Sequence, residues 1–374
     1  MPRNNHCLII SQSARALTVS AAREGFNVYT IDCFADQETR AAAYKTLLAK
    51  TNPDGSIDPA SLLQGMAHCL SLPIEGVVIG SGLERGDGAV YEFITRHWSL
   101  WGNSPETIRS CKDPEKFVSL LGRLGIPAPE IDLTGPQQSG KWLLKIKGGC
   151  GGGHLRPYCN GDHLPDDAYL QKKIEGHIHS VVFLADGHSA SIIGINELWS
   201  VAPERGDYRY AGAVTVPEFP KSQLNSLREA VQALTKVLGL RGLCGLDLAV
   251  TDNGTWYLLE LNPRPTATFE LHETKTSLFY AHLLACQGTL VPIAELNKPL
   301  RACRIIYAGK SFKMTALDWP VWISDRPVDG RTIEAGEPIC TIQAEAGSRA
   351  EIDHILHNRF TYMQQLLGMD KLAA

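Results

Sequence analysis

The sequence predicts a mixed α/β and α+β protein, with a parallel α/β unit at the N-terminus, an α+β middle and a small β-rich lobe at the C-terminus. Three observations carry this. Residues 6–34 read strand, loop, helix, strand. Residues 142–195 turn into a succession of strand patterns. Residues 243–269, LCGLDLAVTDNGTWYLLELNPRPTATF, read as a β-hairpin with two carboxylates on one face. A chain of 374 residues suggests two or three structural units, and 44% hydrophobic against 20% charged residues supplies ample core.

In chain order, residues 6–10 are a short apolar strand, 11–15 a polar loop, 16–24 a helix stopped by Gly25, and 26–31 a second strand. A helical stretch near 60–71 leads to a buried strand at 76–80. Strands alternating with helices predict a parallel sheet for residues 1–103. The loop Gly80-Ser81-Gly82-Leu83-Glu84 follows one of its strands, where ligand clefts form in such folds. A plain strand-to-helix turn satisfies the same Gly-x-Gly. Ser104-Pro105 and Asp113-Pro114 each pair an N-cap with proline at the first helical position, and Gly125 ends the second helix. Strands follow at 142–147, 169–174, 180–185 and 189–195, with Asp186-Gly187 turning the third into the fourth. Leu224, Leu227, Val231, Leu234 and Leu238 share one face of a helix over 221–238. After about 300 come short strands between Pro and Gly turns, then a closing helix near 350–368.

A net charge of −4 argues against a large nucleic-acid footprint, and no apolar run reaches the length of a membrane span. The N-terminal MPRNNHCLIIS shows no secretory pattern. Ten scattered cysteines without a C-x-x-C pair are no zinc framework; they read as reduced thiols of a cytoplasmic protein.

The hairpin carries the chemistry. Asn253-Gly254 signals a two-residue type I′ turn, which pairs Asp252 with Thr255 and sets Asp247 opposite Glu260. Opposed Cβ atoms lie about 4.5–5.5 Å apart on one face, and Asn262 shares that face. The other face sets Cys244, Leu246, Leu248 and Val250 against Tyr257, Leu259 and Leu261 as core. Facing carboxylates repel unless a cation resolves the conflict, and a hard oxygen-seeking ion such as Mg²⁺ does so while leaving room for phosphates. The plain alternative is a solvated face with both acids held by Lys or Arg.

Upstream, KWLLKIKGGCGGGH (residues 141–154) puts Lys145 and Lys147 on one strand face, with Leu144 and Ile146 toward the core. The glycine run that follows suits a flap presenting backbone N–H groups to a polyphosphate, with lysine as the compact cation. It is not a Walker A sequence, and a flexible linker has the same composition.

Three motifs in this order, LLKIKGGCGGG, YLQKKIEGHIHSVVFLADG and the hairpin ending ELNPRP, resemble the ATP-grasp superfamily, in particular its carboxylate–amine ligase and biotin-carboxylase-like branches. The resemblance spans the chain and implies a Rossmann-like preATP-grasp domain (1–103), an ATP-grasp domain (104–300; small lobe about 104–180, large lobe about 181–300) and a C-terminal lobe (301–374). It implies ATP and Mg²⁺ (or Mn²⁺) as cofactors. Lys145 then contacts ATP phosphates under a flap containing Gly149, Gly151, Gly152 and Gly153. Gln171 lies near the adenine, backbone groups of Lys172 and Ile174 read its edge, and His179 meets the ribose. Asp247, Glu260 and Asn262 ligate Mg²⁺, and Arg264 stands beside the transferred phosphoryl group. A further ATP-contacting lysine is Lys112 or Lys116. In the polar stretch ELWSVAPERGDYRYAG, which contains Glu197 and Tyr210, Arg209 or Arg205 is expected to meet the acceptor carboxylate; a surface loop with solvated charges is the alternative.

The resemblance implies phosphoryl transfer from ATP to a carboxylate, then attack by an amine on the acyl phosphate. The expectation is a C–N ligase acting on a small-molecule carboxylate and amine, with a homodimer as one assembly to look for, in one-carbon cofactor biosynthesis of the methanofuran or tetrahydromethanopterin type. A carboxylase using bicarbonate is the first alternative, and a non-catalytic ATP-binding regulatory protein the second. The tail GEPICTIQA (residues 336–344) faintly resembles a biotinyl-carrier half-motif, but Glu345-Ala346-Gly347 stand where a modifiable lysine is required, so that lobe reads as structural.

Overall fold

A computed structural model describes residues 5–52, 55–85, 88–135, 141–159, 161–274, 277–292, 299–368 and 372. Part of the stretch MPRNNHCLIIS, residues 1–4, lies outside them.

Strands β1 (His6–Ile10), β2 (Asn27–Asp32), β3 (Lys45–Leu48), β4 (Gly76–Ile79) and β5 (Ser99–Leu100) form a parallel sheet of order β3-β2-β1-β4-β5. Helices α1 (Arg15–Arg23), α2 (Gln37–Ala42), α3 (Pro59–Ala67) and α4 (Gly88–His97) connect them. The order reverses between β1 and β4, and such a switch point opens a crevice at the carboxyl ends of the strands. The loop of residues 80–84 starts there.

Helices α5 (Pro105–Lys112) and α6 (Pro114–Leu124) begin as their sequence requires: Ser104 accepts the Thr107 N–H at 3.2 Å and Asp113 the Lys116 N–H at 3.1 Å. Gly125 closes α6 in the left-handed region at φ +67°. A small sheet follows from β6 (Ile131–Asp132), β7 (Trp142–Ile146), β8 (Leu155–Tyr158) and β9 (Ala168–Lys172), in the order β6-β9-β7-β8.

The larger sheet contains β10 (His177–Asp186), β11 (Ala190–Ala202), β12 (Asp207–Thr215), β13 (Arg241–Val250), β14 (Trp256–Asn262), β15 (Leu300–Tyr307), β17 (Ile323–Ser324) and β19 (Pro338–Ala346). Helix α7 (Lys221–Leu238) covers one face of it through Leu227, Val231 and Leu234, and α8 (Leu278–Cys286) covers the other. Short strands β16 (Phe312–Lys313) and β18 (Thr332–Ile333) pair separately, and α9 (Arg349–Leu367) packs on β19 and β15. Because β15 pairs with β12, the segment after residue 300 extends the central sheet with β15, β19 and β17 and adds the separate β16–β18 pair. The polar stretch of residues 197–212, for which a surface loop is the alternative reading, is mostly strand: the end of β11 and the start of β12, paired with each other.

Candidate active site

Asp247 and Glu260 are directly opposed across β13 and β14, and Asn262 faces Gly245 one pleat further on. The turn reaching this register is not the expected one. Thr251 and Thr255 are joined, Thr251 N–H to Thr255 O at 2.9 Å, around the three-residue loop Asp252-Asn253-Gly254. Gly254 adopts φ +85°, the left-handed position such a loop closes on. A bulge at Leu259 then inserts one residue and restores the opposition of the two acids. The bulge also changes the core face. Trp256, Leu258 and Leu261 are buried against Leu246 and Leu248, whereas Tyr257 and Leu259, expected in the core, are only half-buried.

Around the acids stand Lys112, Lys145 and Arg264. Lys112, the last residue of α5, ion-pairs with Glu260 and donates to Asn262 Oδ1 at 2.9 Å. The amide of Asn262 donates in turn to Asp247 Oδ2 at 3.1 Å. Lys116, the alternative, points outward to Asp113 at 3.2 Å. Lys145 is buried, donates to Gln171 Oε1 at 3.3 Å and lies over the Tyr169 ring. Burial works against its charge, yet Tyr169, Glu260 and Asp247 hold its pKa above the usual lysine value. Burial and the facing Glu260 carboxylate push Asp247 up, while Glu260, despite burial, is held down by Lys112, Lys145 and His154. Arg264 binds Glu84 of the β4 loop through Nε at 2.6 Å and a terminal nitrogen at 2.5 Å.

A cleft open to solvent runs past Lys112, Lys145 and Glu260. Phe117, Val118, Leu121, Ile131 and Leu258 make one end apolar; Lys112, Lys145, Gln171, Glu260, Gly148 and Gly149 line the rest. This is the composition of a small-molecule site, with apolar walls and few convergent polar groups. A second, small cavity lies beside Arg264 and Glu84, and Lys112 lines both.

The glycine loop reaches the site and docks on the large sheet. The Gly151 carbonyl accepts the Tyr210 N–H at 3.0 Å. At Gly152, with φ +79°, a Cβ would stand 2.0 Å from the Tyr208 carbonyl oxygen. Close packing against protein is therefore one reason for these glycines. Cys150 and His154 of the same loop, which sequence reading passed over, also face the charged centre: Cys150 lies near Glu84, Arg264 and Lys112, and burial pushes its thiol up to about 12. Burial holds His154 down at about 4, so its ring is neutral at pH 7.

Several expected contributors lie elsewhere. Lys147 is past the end of β7 and donates to the Asp166 carbonyl at 3.2 Å, whereas Ile146 packs against the small-sheet core as expected and also lines the cleft. On β9 alternate residues face opposite sides, so Gln171 and Tyr169 line the cleft. Lys172, expected to contribute through its backbone, donates its N–H to the Glu130 carbonyl at 2.9 Å, and its side chain pairs with the Glu130 carboxylate at 3.2 Å. Ile174 and His179 do not line the cavity either; His179 packs edge-on against Phe219. The Arg209 guanidinium is engaged by Asp207, by the Gly336 carbonyl at 2.6 Å and by the Tyr307 ring, so it is not free to receive a carboxylate. Arg205 is exposed beside Glu204, and Glu197 pairs with Arg349 at 2.8 Å.

Residues 111–268 match the ATP-grasp domain family. Over its length the chain is 24% identical to an uncharacterized protein of Methanocaldococcus jannaschii, covering 94% of this chain and 91% of that one. It is 30% identical to part of the carbamoyl phosphate synthase large chain of Deinococcus radiodurans, across 45% of this chain but only 18% of that protein. Among solved structures, biotin carboxylase from Campylobacter jejuni superposes with a TM-score of 0.72 at 15% identity, covering 99% of this chain and 91% of that one. An L-amino acid ligase from Bacillus licheniformis gives 0.68 at 14% identity, covering 96% and 97%. At these identities the structural likenesses establish the fold. Among the described residues, no helix is long and apolar enough to cross a membrane, and all ten cysteines are free.

Proposed function

From the premise that residues 111–268 are an ATP-grasp domain, we propose that the chain is an ATP- and Mg²⁺-dependent ligase that activates a carboxylate as an acyl phosphate and joins it to an amine. One observation carries the reading. Three hard oxygen donors, Asp247, Glu260 and Asn262, stand together on adjacent strands, and two of them already close on a cationic centre, the Lys112 ammonium. Two carboxylates and an amide oxygen suit Mg²⁺, which keeps further positions for water and phosphate. When bound, the metal supplies charge neutralisation to a triphosphate and to the phosphoryl group in flight.

The chain's own groups complete the site. The apolar end of the cleft takes the adenine, with Gln171 as its polar neighbour. Lys145 and Lys112 hold phosphate oxygens, and backbone N–H groups near Gly148 and Gly149 close over them. Arg264 stands beside the acids, where a planar guanidinium stabilises charge developing on the transferred phosphoryl group. The catalysis so assembled is positioning and electrostatics, as phosphoryl transfer requires. The narrower placement in one-carbon cofactor assembly stands as part of this proposal.

The likeness to biotin carboxylase favours a second reading, ATP-driven activation of bicarbonate. ADP and phosphate release, measured against a panel of carboxylates with and without amines and against bicarbonate alone, separates the two. Precursors of methanofuran- and tetrahydromethanopterin-type cofactors belong first in that panel. ADP formation that needs both a carboxylate and an amine supports the ligase. Release that needs only bicarbonate replaces it with the carboxylase.

A further inference from the structure

The second cavity contains one unmet demand and one conditional one. Most of its polar lining is already satisfied. Asn103 donates to the Arg241 and Pro263 carbonyls and accepts the Arg241 N–H. His282 accepts the Leu243 N–H and lies 3.1 Å from the Trp101 carbonyl. Tyr91 is different: it is 2% exposed, lines the cavity, and its hydroxyl has no hydrogen-bond partner among the described residues. A buried hydroxyl left unpaired costs free energy that a ligand recovers.

The conditional demand is Glu84. Its side chain is 2% exposed; one oxygen accepts the Gly82 N–H at 2.8 Å, and the other is neutralised by Arg264. Arg264 also lies 3.4 Å from Asn262 Oδ1, at the edge of the proposed phosphate site. A triphosphate held by Lys112 and Lys145 competes for that guanidinium. As Arg264 turns toward phosphate, Glu84 is left as a buried carboxylate with one backbone donor, a costly state unless another cation arrives.

We propose that this cavity seats the amine co-substrate, taken as an ammonium between the Glu84 carboxylate and the Tyr91 hydroxyl, and that nucleotide binding opens the seat. The inference rests on the ligase reading and adds to it the charge state of the co-substrate and the order of binding. An ammonium supplies the positive charge that Arg264 withdraws and three donors, one of which the Tyr91 oxygen accepts. An anion in the same place would meet Glu84. The apolar walls Ile79, Leu100 and Ile108 favour a short carbon chain next to the charge.

Isothermal titration of the full chain with methylamine, ethanolamine, putrescine and glycinamide, with and without saturating Mg·AMP-PNP, tests this. At least one amine is expected to bind about tenfold or more tightly in the presence of the nucleotide, the size of a hydrogen-bonded charge contact. By linkage the same factor must appear in the AMP-PNP affinity measured at saturating amine. Tyr91→Phe is expected to cut the amine affinity while leaving AMP-PNP binding within about twofold. Glu84→Gln is expected to abolish the enhancement and to bind AMP-PNP at least as well, because Arg264 is released. Equal amine binding with and without nucleotide, or Tyr91→Phe behaving as wild type, overturns the seat while the ligase reading stands. Failure of wild-type protein to bind Mg·AMP-PNP overturns both. Should Glu84→Gln not fold, Tyr91→Phe and the linkage measurement still decide.

Discussion

The ammonium of Lys112 bridges the carboxylate of Glu260 and the amide oxygen of Asn262, so the end of one helix is locked to the carboxylate hairpin. Its side chain is 7% exposed, and an ion pair so buried is strong only while both partners remain. Glu260→Ala therefore removes a proposed metal ligand and the partner of Lys112 together. It is expected to lower Mg·ATP turnover at least about a hundredfold, while thermal unfolding stays cooperative with a lowered midpoint. ADP release and a thermal melt check this; unchanged turnover removes Glu260 from the site.

Lys145 is a buried cation aimed at the same centre from the opposite lobe. Lys145→Ala is expected to raise the KM for ATP by about tenfold or more, the worth of a charge-assisted contact. Initial-rate kinetics over a range of ATP concentrations measure it, and an unaltered KM excludes phosphate contact by this lysine.

The glycine loop is testable through its docking. Gly152→Ala places a methyl 2.0 Å from the Tyr208 carbonyl oxygen, at a φ of +79° that alanine adopts only with strain. The loop is then expected to lift from β12, raising the KM for ATP and exposing Cys150, whose thiol in wild type is held up near 12 by burial. Iodoacetamide labelling followed by peptide mapping should show Cys150 modified faster in the variant. Equal labelling of both proteins would mean the loop is not held by this contact.

His282 gives a pH signature. Burial depresses its pKa from the usual 6.5 to about 4, so the folded protein keeps the ring neutral between its Leu243 and Trp101 contacts. The unfolded chain binds this proton more readily, so the contribution is complete above about pH 6.5 and is lost as pH falls toward 4. The loss is on the order of 3 kcal/mol. His282→Gln retains a donor and an acceptor but does not titrate, and its stability relative to wild type is expected to improve across that window. Urea denaturation at pH 7.5, 6, 5 and 4 measures the difference; a constant offset at all four would contradict it.

The sequence made much of this legible because local signals and tertiary structure agree. Proline-led caps at Ser104 and Asp113 fix where α5 and α6 begin, and the face of α7 made by four leucines and Val231 packs as its period demands. The opposition of Asp247 and Glu260 was legible for a less secure reason. Asn253-Gly254 marks a reversal but not its length, and a bulge depends on pairing with the neighbouring strand, which no local pattern encodes. The turn and the bulge each shift the register by one, and the shifts cancel at the acids but not at Tyr257 and Leu259.

Other features needed the third dimension. Lys112 and Lys116 are one helical turn apart in sequence, and the break at Asp113, which caps α6, sends the first to the hairpin and the second to solvent. Strand β12 is polar by composition and exists because β11 and β15 pair with it on both sides. Tyr91 and Glu84 belong to the parallel domain and meet Arg264 across more than 170 residues of chain, a proximity that follows from domain packing alone.

The central claim is that the paired acids of the hairpin hold the metal of a nucleotide. Calorimetric titration of AMP-PNP into wild type and into Glu260→Gln, each with Mg²⁺ and with EDTA, tests it most directly. Wild type is expected to bind about tenfold or more tightly with Mg²⁺, and Glu260→Gln to lose most of that gain. A variant that responds to Mg²⁺ as fully as wild type would contradict the account.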